Sequence, residues 1–92
     1  MAWTIRYTES ARGQLKKLNK ETARRIMSYM SERVAVRDDP KTLGKPLSGP
    51  MGQYWRYRVG NYRLICNIES DQMHVLVVRI GSRDKVYREN TQ

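Results

Sequence analysis

Cysteine is nearly absent from this chain of 92 residues: Cys66 stands alone, so no internal disulfide can form and no Cys/His spacing suits a structural zinc. A reducing, cytoplasmic setting and no metal are expected. Proline and glycine, at 3 and 6, are too few for a fibrous or low-complexity chain, and no repeat is visible. The longest strongly apolar run is Val75-Leu76-Val77-Val78, cut by Arg79, and MAWTIRYTES lacks the apolar stretch of a signal peptide. Export and membrane spanning are both disfavoured. Acidic residues are scarce as well, nine against eighteen Lys and Arg, which leaves a net charge of +9. What remains is 39% hydrophobic and 29% charged, the balance of one folded domain over residues 1–92. At this size folding buries roughly two-thirds of the unfolded chain's surface, enough for a thin core of two layers. A large enclosed cofactor pocket is not expected, and no cofactor is.

So dense a positive charge calls for an anionic partner. Twelve of the eighteen cations are arginine, whose planar fork suits phosphate better than an ammonium does, so nucleic acid ranks above a merely solubilising surface. A membrane surface ranks lower, because no helix pairs a broad Trp/Phe/Leu face with a Lys-rich one.

Residues 2–7 alternate, with Trp3, Ile5 and Tyr7 against Thr4 and Arg6, the period of a half-buried strand. Thr8 or Ser10 then caps a helix over 9–18, in which Ala11, Leu15 and Leu18 face inward and Arg12, Gln14, Lys16 and Lys17 outward. A tight turn at Leu18-Asn19-Lys20 leads to a second, antiparallel helix with the stripe Ala23, Ile26, Met27, Met30 and Val34, ending by Arg37-Asp38-Asp39-Pro40. Residues 39–53 carry loop chemistry, pinned by Leu43 and Leu47. Tyr54 to Val59, Tyr62 to Glu69 and Met73 to Ile80 follow as strands of an antiparallel meander with hairpin connections. The expected fold is α+β: four strands in one sheet, two helices on one face, the other face open.

In the run Tyr54-Trp55-Arg56-Tyr57-Arg58-Val59, alternation sends Trp55, Tyr57 and Val59 to the core and Tyr54, Arg56 and Arg58 to the open face. Arg63 follows across Gly60-Asn61, and no acid lies between Gln53 and Ile68 to neutralise the three guanidiniums. A second basic stretch interleaves Arg79, Arg83, Lys85 and Arg88 with Tyr87, and antiparallel pairing brings its start toward Arg63. The bland alternatives are a solvated charged face and a tyrosine that closes the core edge.

Leu47-Ser48-Gly49, Tyr54 through Arg63, Ile80-Gly81-Ser82-Arg83 and Val86-Tyr87 together resemble the RelE/ParE superfamily of bacterial toxins, with residues 1–36 matching by pattern only. The resemblance implies the same α+β fold and a cognate RelB-like antitoxin that wraps and silences the toxin. RelE members cleave messenger RNA in the ribosomal A site, so their partners include the 70S ribosome with its mRNA and rRNA; ParE members inhibit DNA gyrase without nuclease chemistry. Carried over by motif, Arg63 and Arg83 match two active-site arginines and Tyr87 a C-terminal tyrosine. Arg56 and Tyr54 stand where RelE has lysines. Arginine stabilises charge but scarcely yields a proton, so the general base is left open, with Lys45 or Lys41 as possible substitutes.

The resulting expectation is cleavage by 2′-hydroxyl attack, with Arg56, Arg58 and Arg63 on the phosphate, Tyr87 removing the 2′ proton and Arg83 assisting the leaving oxygen. Lys45, Arg79, Lys85 and Arg88 would extend phosphate binding. His74 is expected to be structural. A ParE-like gyrase inhibitor is the main alternative. A non-toxic RNA-binding module fits less well, because Trp55 and Tyr57 fall on the core face rather than on a stacking platform.

Overall fold

The computed structural model describes residues 2–82. Strand β1 (Thr4–Tyr7) leads into helix α1 (Glu9–Lys17) and helix α2 (Lys20–Tyr29), then β2 (Lys45–Pro46), β3 (Trp55–Val59), β4 (Tyr62–Glu69) and β5 (His74–Ser82). They form one sheet in the order β1-β5-β4-β3-β2. β1 lies parallel to β5, and the other pairs are antiparallel. The α+β class, the helical hairpin and the meander are as the sequence implies, but the sheet has five strands rather than four. The addition is β2, inside the stretch assigned to loop. It is only two residues long, too short to show a period, and it forms because Lys45 and Pro46 fall opposite Arg56 and Trp55.

Both helices start on side-chain caps that satisfy orphan backbone donors. Thr8 Oγ1 accepts from the Ala11 N–H at 3.1 Å, and Asn19 Oδ1 accepts from the Thr22 N–H at 2.7 Å. α2 does not run on as an α-helix to residue 37. From Met30 to Val34 it widens into a π turn, in which the Ala35 N–H donates to the Met30 carbonyl at 2.9 Å. Met30 and Val34 are both fully buried, so the wider turn keeps the second stripe on the core. Met27 leaves it, exposed at 48%, because it sits about 100° round the helix from Ile26.

The core joins Ala11, Leu15, Ile26, Met30 and Val34 to Tyr57, Val59, Leu64, Cys66, Val75, Val77 and Ile80 of the sheet. Trp3, Ile5 and Tyr7 pack at its margin, as their alternation implies. Tyr57 ties in the connection after the π turn, its buried hydroxyl donating to the Pro40 carbonyl at 2.7 Å.

One irregularity decides where the arginines go. Ile65 pairs with Arg79 and Cys66 with Val77, so Val78 is an extra residue, a β-bulge. Under strict alternation Arg79 would share the core face with Val75 and Val77. The bulge turns Arg79 to the open face and sends Ile80 into the core, where it is 2% exposed. Beyond Val77 the strand has run past its β1 partner, and α1 takes over that edge. The Thr8 hydroxyl donates to the Val78 carbonyl at 3.3 Å, and Gln14 Oε1 accepts from the Ile80 N–H at 2.6 Å. Gln14 therefore does not face outward, as helical spacing suggests; it satisfies the backbone of the bulge.

Candidate functional site

Opposed residues on adjacent strands share a face, so the register alone assembles the site. Lys45 lies opposite Arg56, Arg56 opposite Ile65, and Ile65 opposite Arg79. The next row runs Arg58, Arg63, Gly81. Five cations from four strands, Lys45, Arg56, Arg58, Arg63 and Arg79, thus stand on the face away from the helices. β3 and β5 are two strand spacings apart, so about 10 Å separates Arg56 from Arg79 along the row, the scale of one or two nucleotide phosphates.

These residues are not one solvated fringe. Arg58 is exposed, Arg56 and Arg79 are half-buried, and Arg63 is 3% exposed. The solvated-face alternative fails at Arg63, a guanidinium taken out of water. Arg56, Arg63 and Arg79 each have an interaction within the chain. Ile65 lies between Arg56 and Arg79 and is 1% exposed although it is not part of the core cluster. Gly81 lies opposite Arg63 in the register and adds no side chain beside it.

The two lysines offered as substitutes part company. Lys45 joins the cluster opposite Arg56. Lys41 instead places its Nζ 5.5 Å from the centre of the Trp55 ring, on the strand's other face, in a cation–π contact. Gly44 makes this possible: a Cβ there would strike the Arg56 carbonyl oxygen and lie 2.6 Å from Trp55 Cδ1, so only glycine lets β2 close on β3. Tyr54 precedes β3 and is half-exposed. Its backbone, rather than its ring, pairs with the neighbouring segment, accepting from the Leu47 N–H at 3.1 Å.

No described tyrosine with a shifted pKa is suited to act as a base. Burial pushes the Tyr57 phenol up from its ordinary value, and its proton is committed to Pro40. Burial raises Tyr7 to about 12. Cys66 is buried and also pushed up, which makes it an inert core thiol. His74 sits across the β4/β5 pair from Glu69, with Nδ1 3.7 Å from Oε1. Six residues of strand, about 20 Å, separate that pair from the Arg63 row, in keeping with a structural role. Arg83, Lys85, Tyr87 and Arg88 lie outside the described residues. Among the described residues no cluster of His, Cys, Asp or Glu could hold a metal ion, and no helix is long and apolar enough to cross a membrane.

Sequence reasoning missed Val78, Thr8 and Gln14 as the device that aims Arg79. A signal was present: Val75, Val77 and Ile80 break the period of two with a step of three, which a strand keeps on one face only through a bulge.

The sheet backed by a helical hairpin is a fold shared with known toxins of similar length. The chain is 28% identical over 88 residues to Toxin RelG of Mycobacterium tuberculosis, covering 96% of this chain and 99% of that one. The toxin–antitoxin complex RelBE2 of the same organism contains a chain that superposes with a TM-score of 0.82 at 26% identity, covering 90% of this chain and 93% of that chain. The isolated Escherichia coli RelE toxin superposes at 0.69 with 19% identity, over 97% and 95%, a likeness of fold. The family model for the ParE toxin of type II toxin–antitoxin systems, parDE, matches residues 5–87. The chain therefore belongs to that family, and is a type II toxin of the RelE/ParE superfamily.

Proposed function

We propose that this toxin is a ribosome-dependent endoribonuclease that cleaves mRNA in the A site and so stops translation. The observation that carries the reading is the buried, engaged Arg63 among Arg56, Arg58, Arg79 and Lys45 on one face. A docking surface needs exposed charge; a guanidinium withdrawn from water suits a charge that develops at one point. When the 2′-oxygen attacks phosphorus and the P–O5′ bond breaks, the phosphorane between them carries extra negative charge. Arg56, Arg58 and Arg63 stabilise it, and Lys45, Arg79, Lys85 and Arg88 hold neighbouring phosphates. Tyr87, as phenolate, takes the 2′ proton, and the 5′-oxygen leaves as an alkoxide whose charge Arg83 stabilises until it takes a proton from water. Acting as a base requires the phenol to titrate below its ordinary value of about 10, the direction in which nearby positive charge moves it.

An open face orients a flexible strand poorly, which is why the ribosome is needed to present the mRNA. The protein acts in the bacterial cytoplasm as a single domain over residues 1–92. A cognate RelB-like antitoxin neutralises it, as the RelBE2 and Escherichia coli RelBE toxin–antitoxin complexes, both similar in fold, support. Neither a cofactor nor a metal takes part.

The match to the ParE family model favours one second reading, a non-nuclease inhibitor of DNA gyrase. Labelled amino-acid and thymidine incorporation after induction separates the two. Translation is expected to stop first; replication arrest with continuing protein synthesis would favour gyrase.

A further inference from the structure

The flanks of α2 differ in chemistry. Toward β1, Ile5, Tyr7, Ala23 and Met27 give a groove a mainly apolar floor, with Met27 exposed and Lys20 and Arg24 also lining it. Toward β3 lie two adjoining concavities, of ≈ 370 and ≈ 310 Å³, that share Arg25, Val59 and Gly60. Thr22, Asn61 and Tyr62 line the first; Ser28, Tyr29, Arg33 and Arg58 line the second, with Glu32 its one acid. Three arginines thus converge on a trough whose floor is partly apolar, at Ile26 and Val59, and whose other polar groups are hydroxyls, one amide and Glu32.

Gly60 has φ +61, and the position its Cβ would occupy lies 3.5 Å from Arg25 Nη1. A glycine there permits the left-handed turn and leaves the Arg25 guanidinium lying beside it. Arg25, Arg33 and Arg58 are all exposed, and none has a salt-bridge partner among the described residues. Arg58 also pairs with Arg63 in the register of the open face. The trough is therefore continuous with the candidate site and leads away from it around the β3–β4 turn.

We propose that this trough, built by Arg25, Arg33 and Arg58 with Thr22, Ser28 and Asn61, is a track for the phosphate backbone of single-stranded RNA leading from the cluster around Arg63. This rests on the RNA-cleaving reading and extends it to a second contact region. Polyphosphate fits the trough better than an amphipathic peptide does. A peptide helix gains most by burying apolar side chains, and the apolar groove on the other flank of α2 offers that. The β3 flank offers planar guanidinium forks, which match phosphate oxygens in pairs.

The test is binding of a fluorescent, uncleavable 2′-O-methyl RNA 12-mer to the full chain, by anisotropy over a series of salt concentrations. Three proteins are compared: wild type, R25A/R33A, and R12A/K16A as a control that removes the same charge from α1. Alanine is a good helix former at all four positions, and thermal melts check folding. Each lost phosphate contact lowers the slope of log K against log salt by about 0.7 on a single strand, so R25A/R33A is expected to lower it by about 1.4, with the control close to wild type. Equal losses in both variants would mean diffuse attraction and overturn the track. So would an R25A/R33A variant that binds RNA normally yet loses affinity for the antitoxin, because the trough would then be a protein site. The oligonucleotide cannot be cut, so the result stands apart from the cleavage reading: binding through the trough without cleavage of natural mRNA on ribosomes would keep the track and remove the nuclease.

Discussion

At the scale of the residue, two glycines show how local geometry sets opposite outcomes for one substitution. Gly13 lies inside α1, and a methyl group there would meet no atom within 4 Å. Gly13→Ala removes the entropic cost of glycine in a helix and is expected to raise stability by about 0.5–1 kcal/mol, read as an upward shift of the urea midpoint. Gly44→Ala forces a Cβ against the Arg56 carbonyl and the Trp55 ring. It is expected to lower stability by about 1–3 kcal/mol, in the range of other overpacked sites, and to loosen Lys45 from its place opposite Arg56. A Gly44→Ala protein with wild-type stability would show that β2 does not close on β3. Arg63 is the residue whose surroundings sequence could not supply. The turn at Gly60-Asn61 brings it close to Arg58, but burial depends on what the strands bring over it, and no local pattern encodes that.

At the scale of the element, α1 is more than a cover for the core. Through Thr8 and Gln14 it satisfies the edge of β5 where the bulge leaves β1 behind, and the bulge sets which way Arg79 faces. Gln14→Leu removes the acceptor of the Ile80 N–H without shortening the helix. An unsatisfied buried donor costs about 1–3 kcal/mol, so the urea midpoint is expected to fall and the Ile80 amide to exchange faster with deuterium. Unchanged exchange at Ile80 would mean that Gln14 is not its partner in solution. The Thr8 cap, the two helices, the three long strands and the core face of β3 were legible because each is a local pattern of capping residue or period. The bulge, β2 and the π turn were not. Each is a departure of one or two residues whose reason lies in another element: α1 for the bulge, β3 for β2, and the shared core for the π turn.

At the scale of the whole molecule, nine unbalanced positive charges are spread over 92 residues, but topology concentrates them. The meander lines up β3, β4 and β5 so that arginines far apart in sequence share one face, and the helices cover only the other. The motif residues Arg56, Arg58 and Arg63 could be read from the sequence, and Arg79 and Lys45 take their place through register. Arg25 and Arg33 escaped notice because their relation to the cluster exists only once α2 packs beside β3. Primer extension on an mRNA, with and without programmed 70S ribosomes, tests the central claim most directly, comparing wild type with Arg56→Ala/Arg58→Ala, which spares the buried Arg63. Discrete A-site cuts that require ribosomes, slowed about a hundredfold or more in the variant, are the expected result. An intact message on ribosomes, from a preparation that still poisons cells, would contradict it.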